Sequence, residues 1–168
     1  YCGVDLGKQE DYTVATFMNQ DGEVIDIYRD NKKEWTTMTA NILQLVKKYR
    51  ATVMVEVNSI GDVIYEQLKK QWSDTHPFVT SSKSKNEIIE GLILDMNELT
   101  VKIPSKGLFP SLYSELSVFT YEYNPKTRNI RYGHPSGLHD DTVISLAIVN
   151  CNRKQNKTYG QYTVMGRR

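Results

Sequence analysis

The stretch Thr52-Val53-Met54-Val55-Glu56-Val57 is short, rich in β-branched side chains and interrupted by a single carboxylate. Uninterrupted apolar runs of this length belong to strands covered on both faces, as in parallel sheets with helices on either side. A partner stands at the start of the chain, where Tyr1-Cys2-Gly3-Val4-Asp5-Leu6-Gly7 reads as another strand with one carboxylate inside it. Between the two, residues 12–18 and 23–28 read as strands joined by an Asp21-Gly22 turn. Residues 35–49 follow with Met38, Ile42, Leu45, Val46 and Tyr49 at helical spacing. That connection is long enough for the first and fourth strands to pair in parallel within one sheet.

Downstream, residues 58–72 predict a helix with Ile64, Leu68 and Trp72 on one side, and residues 84–99 another with Ile88, Leu92 and Met96. Residues 101–103 read as a short strand stopped by Pro104, and 110–118 as a helix. Residues 119–123 and 130–132 form a hairpin turned at Asn124-Pro125. Residues 136–150 make a closing helix, apolar over most of its circumference and so buried. The order predicts an α/β fold: a mixed β-sheet flanked by helices, with an additional β-hairpin.

The chain has 168 residues, 39% hydrophobic and 24% charged, which suits one folded domain and excludes a largely disordered one. No apolar run reaches the length of a membrane span, and no signal peptide opens the sequence. It begins at Tyr1, without methionine and inside a strand, and so reads as a piece of a longer protein. All 20 acidic residues precede residue 151, whereas Arg153, Lys154, Lys157, Arg167 and Arg168 follow it. Residues 1–152 are therefore expected as the domain and 153–168 as a basic tail, a feature of nucleic-acid binders and of merely solvated termini alike. Two cysteines are too few for a disulfide framework or a thiolate metal site.

Three features break the local pattern. Asp5 and Glu56 sit in strands that otherwise want apolar neighbours, and an unpaired buried carboxylate costs several kcal/mol or shifts its titration upward. Each alone is equally well explained as a solvated strand end. His139-Asp140-Asp141 heads the closing helix, where acids alone usually serve the helix dipole. Together the three point to one place, because ligands gather at the carboxyl ends of parallel strands. Carboxylates converging there need a cation, and an oxygen donor set suits Mg²⁺ or Mn²⁺. Such clusters commonly serve hydrolysis of phosphodiesters with two metal ions. Asp11 is a candidate outer member, equally readable as a turn residue.

Other chemistries lack support. Gly3 to Gln9 imitates a phosphate loop but has three residues between the glycines and Gln9 where Ser or Thr is needed. There is no HExxH, CxxC or GxSxG. His76 and His134, each before a proline, read as loop residues.

In order and spacing, Gly3-Val4-Asp5-Leu6-Gly7 with Asp11, Val55-Glu56-Val57-Asn58-Ser59-Ile60-Gly61 and His139-Asp140-Asp141-Thr142-Val143-Ile144-Ser145-Leu146 resemble the C-terminal nuclease domain of the large terminase subunit of tailed bacteriophages. The resemblance spans about residues 3–150. It implies an RNase H-like fold and a metal-dependent endonuclease that cuts concatemeric double-stranded DNA during packaging. It implies Asp5, Glu56 and Asp141 as catalytic acids holding Mg²⁺ or Mn²⁺ in two sites, with Asp140, Asp11 and His139 as accessories. An upstream ATPase domain, a portal and a small terminase subunit are its implied partners. The host cytoplasm is the implied location, with the protein absent from the mature virion. Lys83 and Lys85 lie in a stretch that resembles the family's approach to backbone phosphates. Lys126, Arg128 and Arg131, interleaved with Tyr121, Tyr123 and Tyr132, suit nucleic-acid contact on the hairpin, although strand aromatics also cover cores. Between the neighbouring acids, periodicity does not decide; Ser145 favours Asp141 slightly by letting the helix come close to the sheet, and the resemblance favours it more strongly.

A Holliday-junction resolvase or a ribonuclease H would suit the same acids, though the long insertion between Glu56 and His139 favours the terminase. A catalytically silent DNA-binding or assembly module is the alternative from another class.

Overall fold

The computed structural model describes residues 1–7, 11–58 and 61–165. Lys8, Gln9, Ser59, Ile60, Arg167 and Arg168, which figure in the sequence motifs, lie outside the described residues. Five strands make the main sheet: β1 (Cys2–Asp5), β2 (Thr13–Met18), β3 (Val24–Asp30), β4 (Val53–Glu56) and β5 (Thr75–Phe78), in the order β3-β2-β1-β4-β5. The first three run antiparallel as a meander, while β1, β4 and β5 run parallel. The helices are α1 (Trp35–Tyr49), α2 (Gly61–Gln71), α3 (Ser82–Asn97), α4 (Pro110–Val118) and α5 (Asp141–Met165). A separate hairpin joins β6 (Thr120–Asn124) to β7 (Asn129–Gly133). This is the expected mixed sheet flanked by helices, with its additional hairpin.

Successive strand residues point to opposite faces, so β1 and β4 each divide their side chains between two cores. Cys2, Val4, Val53 and Val55 face α1 and α2, packing with Phe17, Ile42, Val46 and Leu68. Met54 faces the other way, into the core built by α3, α4 and α5 around Ile89, Leu112, Leu146 and Ile148. The same alternation turns Gly3, Asp5 and Glu56 towards α5. The parallel register pairs Gly3 with Met54 and Val4 with Val55, so Asp5 and Glu56 lie side by side one step further on.

Gly3 is where α5 crosses the sheet, since a β-carbon there would lie 2.6 Å from the Ser145 carbonyl oxygen. Ser145 is the small residue the close approach requires. Its Oγ accepts from the Thr16 amide at 3.0 Å and lies 2.9 Å from the Gly3 carbonyl and 2.8 Å from Thr16 Oγ1.

Several elements differ from expectation. Residues 75–78 form strand β5, although His76 before Pro77 reads as a loop; Pro77 is tolerated because β5 is an edge strand. The expected strand at 101–103 is a single bridge from Lys102 to Glu23. The third helix starts earlier, because Ser81 and Ser84 form a reciprocal capping box. The last helix starts later, at Asp141, and continues to Met165, past both the expected end at 150 and the expected boundary at 152/153. Its polar continuation is bound into the fold. Asn152 Nδ2 donates to the carbonyls of Cys2 and Thr52, at 3.1 and 2.9 Å. Buried Arg153 donates to Asn150, and Lys154 pairs with buried Asp95. Those two cations of the expected basic tail are thus engaged within the domain.

Candidate functional site

Asp5 and Glu56 end their strands on the face that receives the start of α5. Asp5 is 8% exposed and adjoins Glu56 across the parallel pairing of β1 with β4. Burial pushes the Asp5 carboxyl well above the usual carboxylate range. The neighbouring Glu56 carboxyl and the charges of Asp141 and Asp140 push it the same way. Asn58 Nδ2 donates to Glu56 Oε1 at 2.8 Å, fixing that side chain beyond its strand.

Asp141 opens α5 and is also 8% exposed. Its Oδ2 accepts from the backbone amide of Tyr12 at 3.1 Å, which ties the helix to the entrance of β2. Burial pushes its carboxyl up to about 6; the Tyr12 amide and His139 oppose the rise, whereas the charges of Glu115 and Asp11 add to it. One donor atom each from Asp11, His139 and Asp141 lies within 4.8 Å of the others. His139 Nδ1 lies 3.4 Å from Asp141 Oδ2 and is buried with no hydrogen bond among the described residues.

Asp140 takes a different direction. Its carboxylate lies 3.3 Å from Lys85 Nζ and 3.6 Å from His134 Nε2, bridging α3 to the loop after β7. Successive helix-start residues diverge, and here the inner position is Asp141. Of the six acid and imidazole residues proposed from the sequence, five fall into two groups that share Asp141, and Asp140 stands apart with Lys85 and His134. Asp5 and Glu56 adjoin at the ends of paired strands, with the Asp141 charge acting on Asp5, and donor atoms of Asp11, His139 and Asp141 come together beside them.

The basic residues spread more widely. Lys83 is exposed and stands 3.8 Å from Glu87, whereas Lys85 reaches Asp140. Lys126, Arg128 and Arg131 are exposed on the hairpin. A groove of about 1780 Å³ runs between the start of α3 and the hairpin, from Lys126 and Arg131 past Lys85 to Asp140. The hairpin is fastened to α3 by Asn86 Nδ2, which donates to the Ile130 carbonyl at 2.8 Å.

Sequence reasoning missed Glu115, Arg29 and Tyr12. Glu115 is buried on α4, and its Oε2 accepts from the Thr142 amide at 2.6 Å, in the first turn of α5. Its Oε1 accepts from Arg29 Nη2 at 3.0 Å. Nothing in a nine-residue helix signals a partner so far along the chain.

No family model matches the chain, and no curated protein sequence matches it. Solved structures do. The magnesium-bound large terminase nuclease of thermophilic phage G20c superposes with a TM-score of 0.78 and 28% identity, covering 89% of this chain and 79% of that one. The large terminase nuclease domain of Thermus phage P74-26 gives 0.74 and 28%, covering 88% of this chain and 75% of that one. The manganese-bound g2p nuclease domain of bacteriophage SPP1 shares the fold at 0.64 and 16% identity, covering 90% and 85%. The chain has the RNase H-like fold of a phage large terminase nuclease domain.

Proposed function

We propose that this chain is a metal-dependent endonuclease of a viral DNA-packaging motor, cutting concatemeric double-stranded DNA by hydrolysis. The observation that carries the reading is the placing of buried Asp5 beside Glu56 at the ends of paired strands, on the face that receives buried Asp141. Like charges so placed either share protons or hold a cation. The donor set fits Mg²⁺ or Mn²⁺, being carboxylate oxygens with one imidazole whose buried Nδ1 has no hydrogen bond among the described residues. Magnesium and manganese are also the ions in two of the similar nucleases.

Asp5, Glu56 and Asp141 would hold the metal, with Asp11 and His139 as outer donors on the Asp141 side. When bound, a pair of such ions lowers the pKa of the attacking water and stabilises the leaving oxygen. The chain's residues do the rest. The Tyr12 amide fixes the orientation of Asp141, Asn58 that of Glu56, and Lys85 that of Asp140. Lys85, Lys126 and Arg131, which line the groove, together with Lys83 and Arg128 contact backbone phosphates, which positions the duplex without reading its sequence. An ATPase domain upstream, a portal and a small terminase subunit are the partners this role implies, in the cytoplasm of the host. Among the described residues, no helix is long and apolar enough to cross a membrane.

Plasmid cutting in parallel with Mn²⁺, Mg²⁺ and EDTA tests the reading. Nicking and linearisation with either ion, abolished by EDTA, is the expected result. Undiminished cutting in EDTA refutes metal-dependent hydrolysis, and failure to bind Mn²⁺ favours a silent DNA-binding or assembly module.

A further inference from the structure

Five residues from four parts of the chain close a ring around Asp141. Glu115 Oε2 accepts the Thr142 amide, and Glu115 Oε1 accepts Arg29 Nη2. The Arg29 guanidinium stands 3.2 Å from the centroid of the Tyr12 ring. The Tyr12 amide in turn donates to the Asp141 carboxylate. The Tyr12 ring also meets His139 edge-on, at 5.0 Å between centroids. Both the backbone beside Asp141 and its carboxylate are thereby fixed by one chain of interactions that begins at the Thr142 amide and ends at the Asp141 carboxylate.

We infer that Glu115 is a positioning residue for Asp141, acting through Thr142 on one side and through Arg29 and Tyr12 on the other; this rests on the reading of Asp141 as a metal ligand. Glu115 is a poor choice for capping a helix and nothing more. A serine or asparagine next to the helix start would do that locally, without another negative charge beside an acidic cluster. A carboxylate has two oxygens that accept in different directions, so it alone can hold the helix start and the guanidinium together. Arg29 is placed for its plane rather than for the greatest number of bonds. Its Nε is buried without a hydrogen bond among the described residues, while its flat face covers Tyr12, an arrangement that lysine cannot reproduce.

The test compares Mn²⁺ binding by calorimetry, metal-free thermal melting and DNA cleavage for the 168-residue chain and its Glu115→Gln, Arg29→Lys and Asp141→Asn variants. Glu115→Gln keeps one acceptor and the shape but cannot serve both partners. Arg29→Lys keeps the charge opposite Glu115 and removes the stack. Both should fold and bind Mn²⁺ about 10–100-fold more weakly, the loss typical of removing an outer partner of a metal ligand. The KM for DNA at saturating Mn²⁺ should not change. Wild-type Mn²⁺ affinity in both variants, with Asp141→Asn defective, overturns the inference and leaves the proposed function standing. No Mn²⁺ binding by the unsubstituted chain overturns both. If Glu115→Gln fails to fold, Arg29→Lys decides alone.

Discussion

A β-carbon on Gly3 would stand 2.3 Å from the amide nitrogen of Val149, so the first strand and the last helix meet backbone to backbone. The obstacle is main chain, which cannot swing aside as a side chain can. Gly3→Ala should therefore cost roughly 3 kcal/mol, seen as a fall of roughly 6–12 °C in the thermal midpoint. An unchanged midpoint would mean that α5 can slide along the sheet.

The crowded acids make stability depend on pH. Asp141 is pushed from an ordinary value of 3.8 up to about 6, facing Glu115, Asp11, His139 and Asp5, and Asp5 is raised as well. A raised carboxyl binds its proton more tightly when folded, so its stabilisation is complete below the unfolded value and lost as pH rises through the folded one. Metal-free protein should lose roughly 3 kcal/mol on this account between about pH 4 and pH 7. Urea titrations across that window check it, with Asp141→Asn flattening the slope. A slope of opposite sign would contradict the burial argument.

Glu56→Ala removes a donor and also the nearest charge to Asp5. Nuclease activity should vanish, while the metal-free melting temperature stays equal or rises slightly. Strong destabilisation would identify Glu56 as a structural partner instead.

The two neighbouring aspartates should separate cleanly. Asp141→Asn should reduce cleavage at least about 100-fold, because a neutral amide replaces an anionic donor in the same shape. Asp140→Asn, which loosens only the bridge to Lys85 and His134, should retain measurable activity. Equal rates for the two would refute the assignment, and the reverse order would exchange their roles.

Phosphate binding by the hairpin predicts a salt effect. Replacing Lys126, Arg128 and Arg131 together by alanine should weaken DNA binding for all sequences alike. The slope of log affinity against log salt should shrink by about one for each phosphate that is no longer neutralised. An unchanged slope would place the duplex elsewhere.

Much of this architecture was legible because its signals are local. The helical spacing from Trp35 to Tyr49 and the proline opening α4 mark both elements at the bounds observed. The acids were legible by conflict, since Asp5 and Glu56 stand where apolar strands reject charge. What escaped depends on distant partners. Thr75 to Phe78 carries a proline and a histidine, and only its place beside β4 makes it a strand. Asn150, Asn152 and Arg153 look like the end of a buried helix until Asp95, Cys2 and Thr52 supply their partners. Glu115 has the same character: its meaning lies in Arg29 and Thr142, and no periodicity within α4 contains either.

The anchoring of α5 has a consequence for the newly made chain. Translation delivers Asp5, then β2, β3 and Glu56, then β5, and only afterwards the helix that begins with Asp141. The bonds from Asn152 to Cys2 and Thr52 fasten that helix across the amino-terminal ends of β1 and β4, so it is seated only once its first three turns have emerged. A polypeptide interrupted after Glu56 but before Asp141 holds two of the three acids and lacks the third. On the proposed reading of these acids, termination before Asp141 yields an inert fragment rather than an unrestrained nuclease.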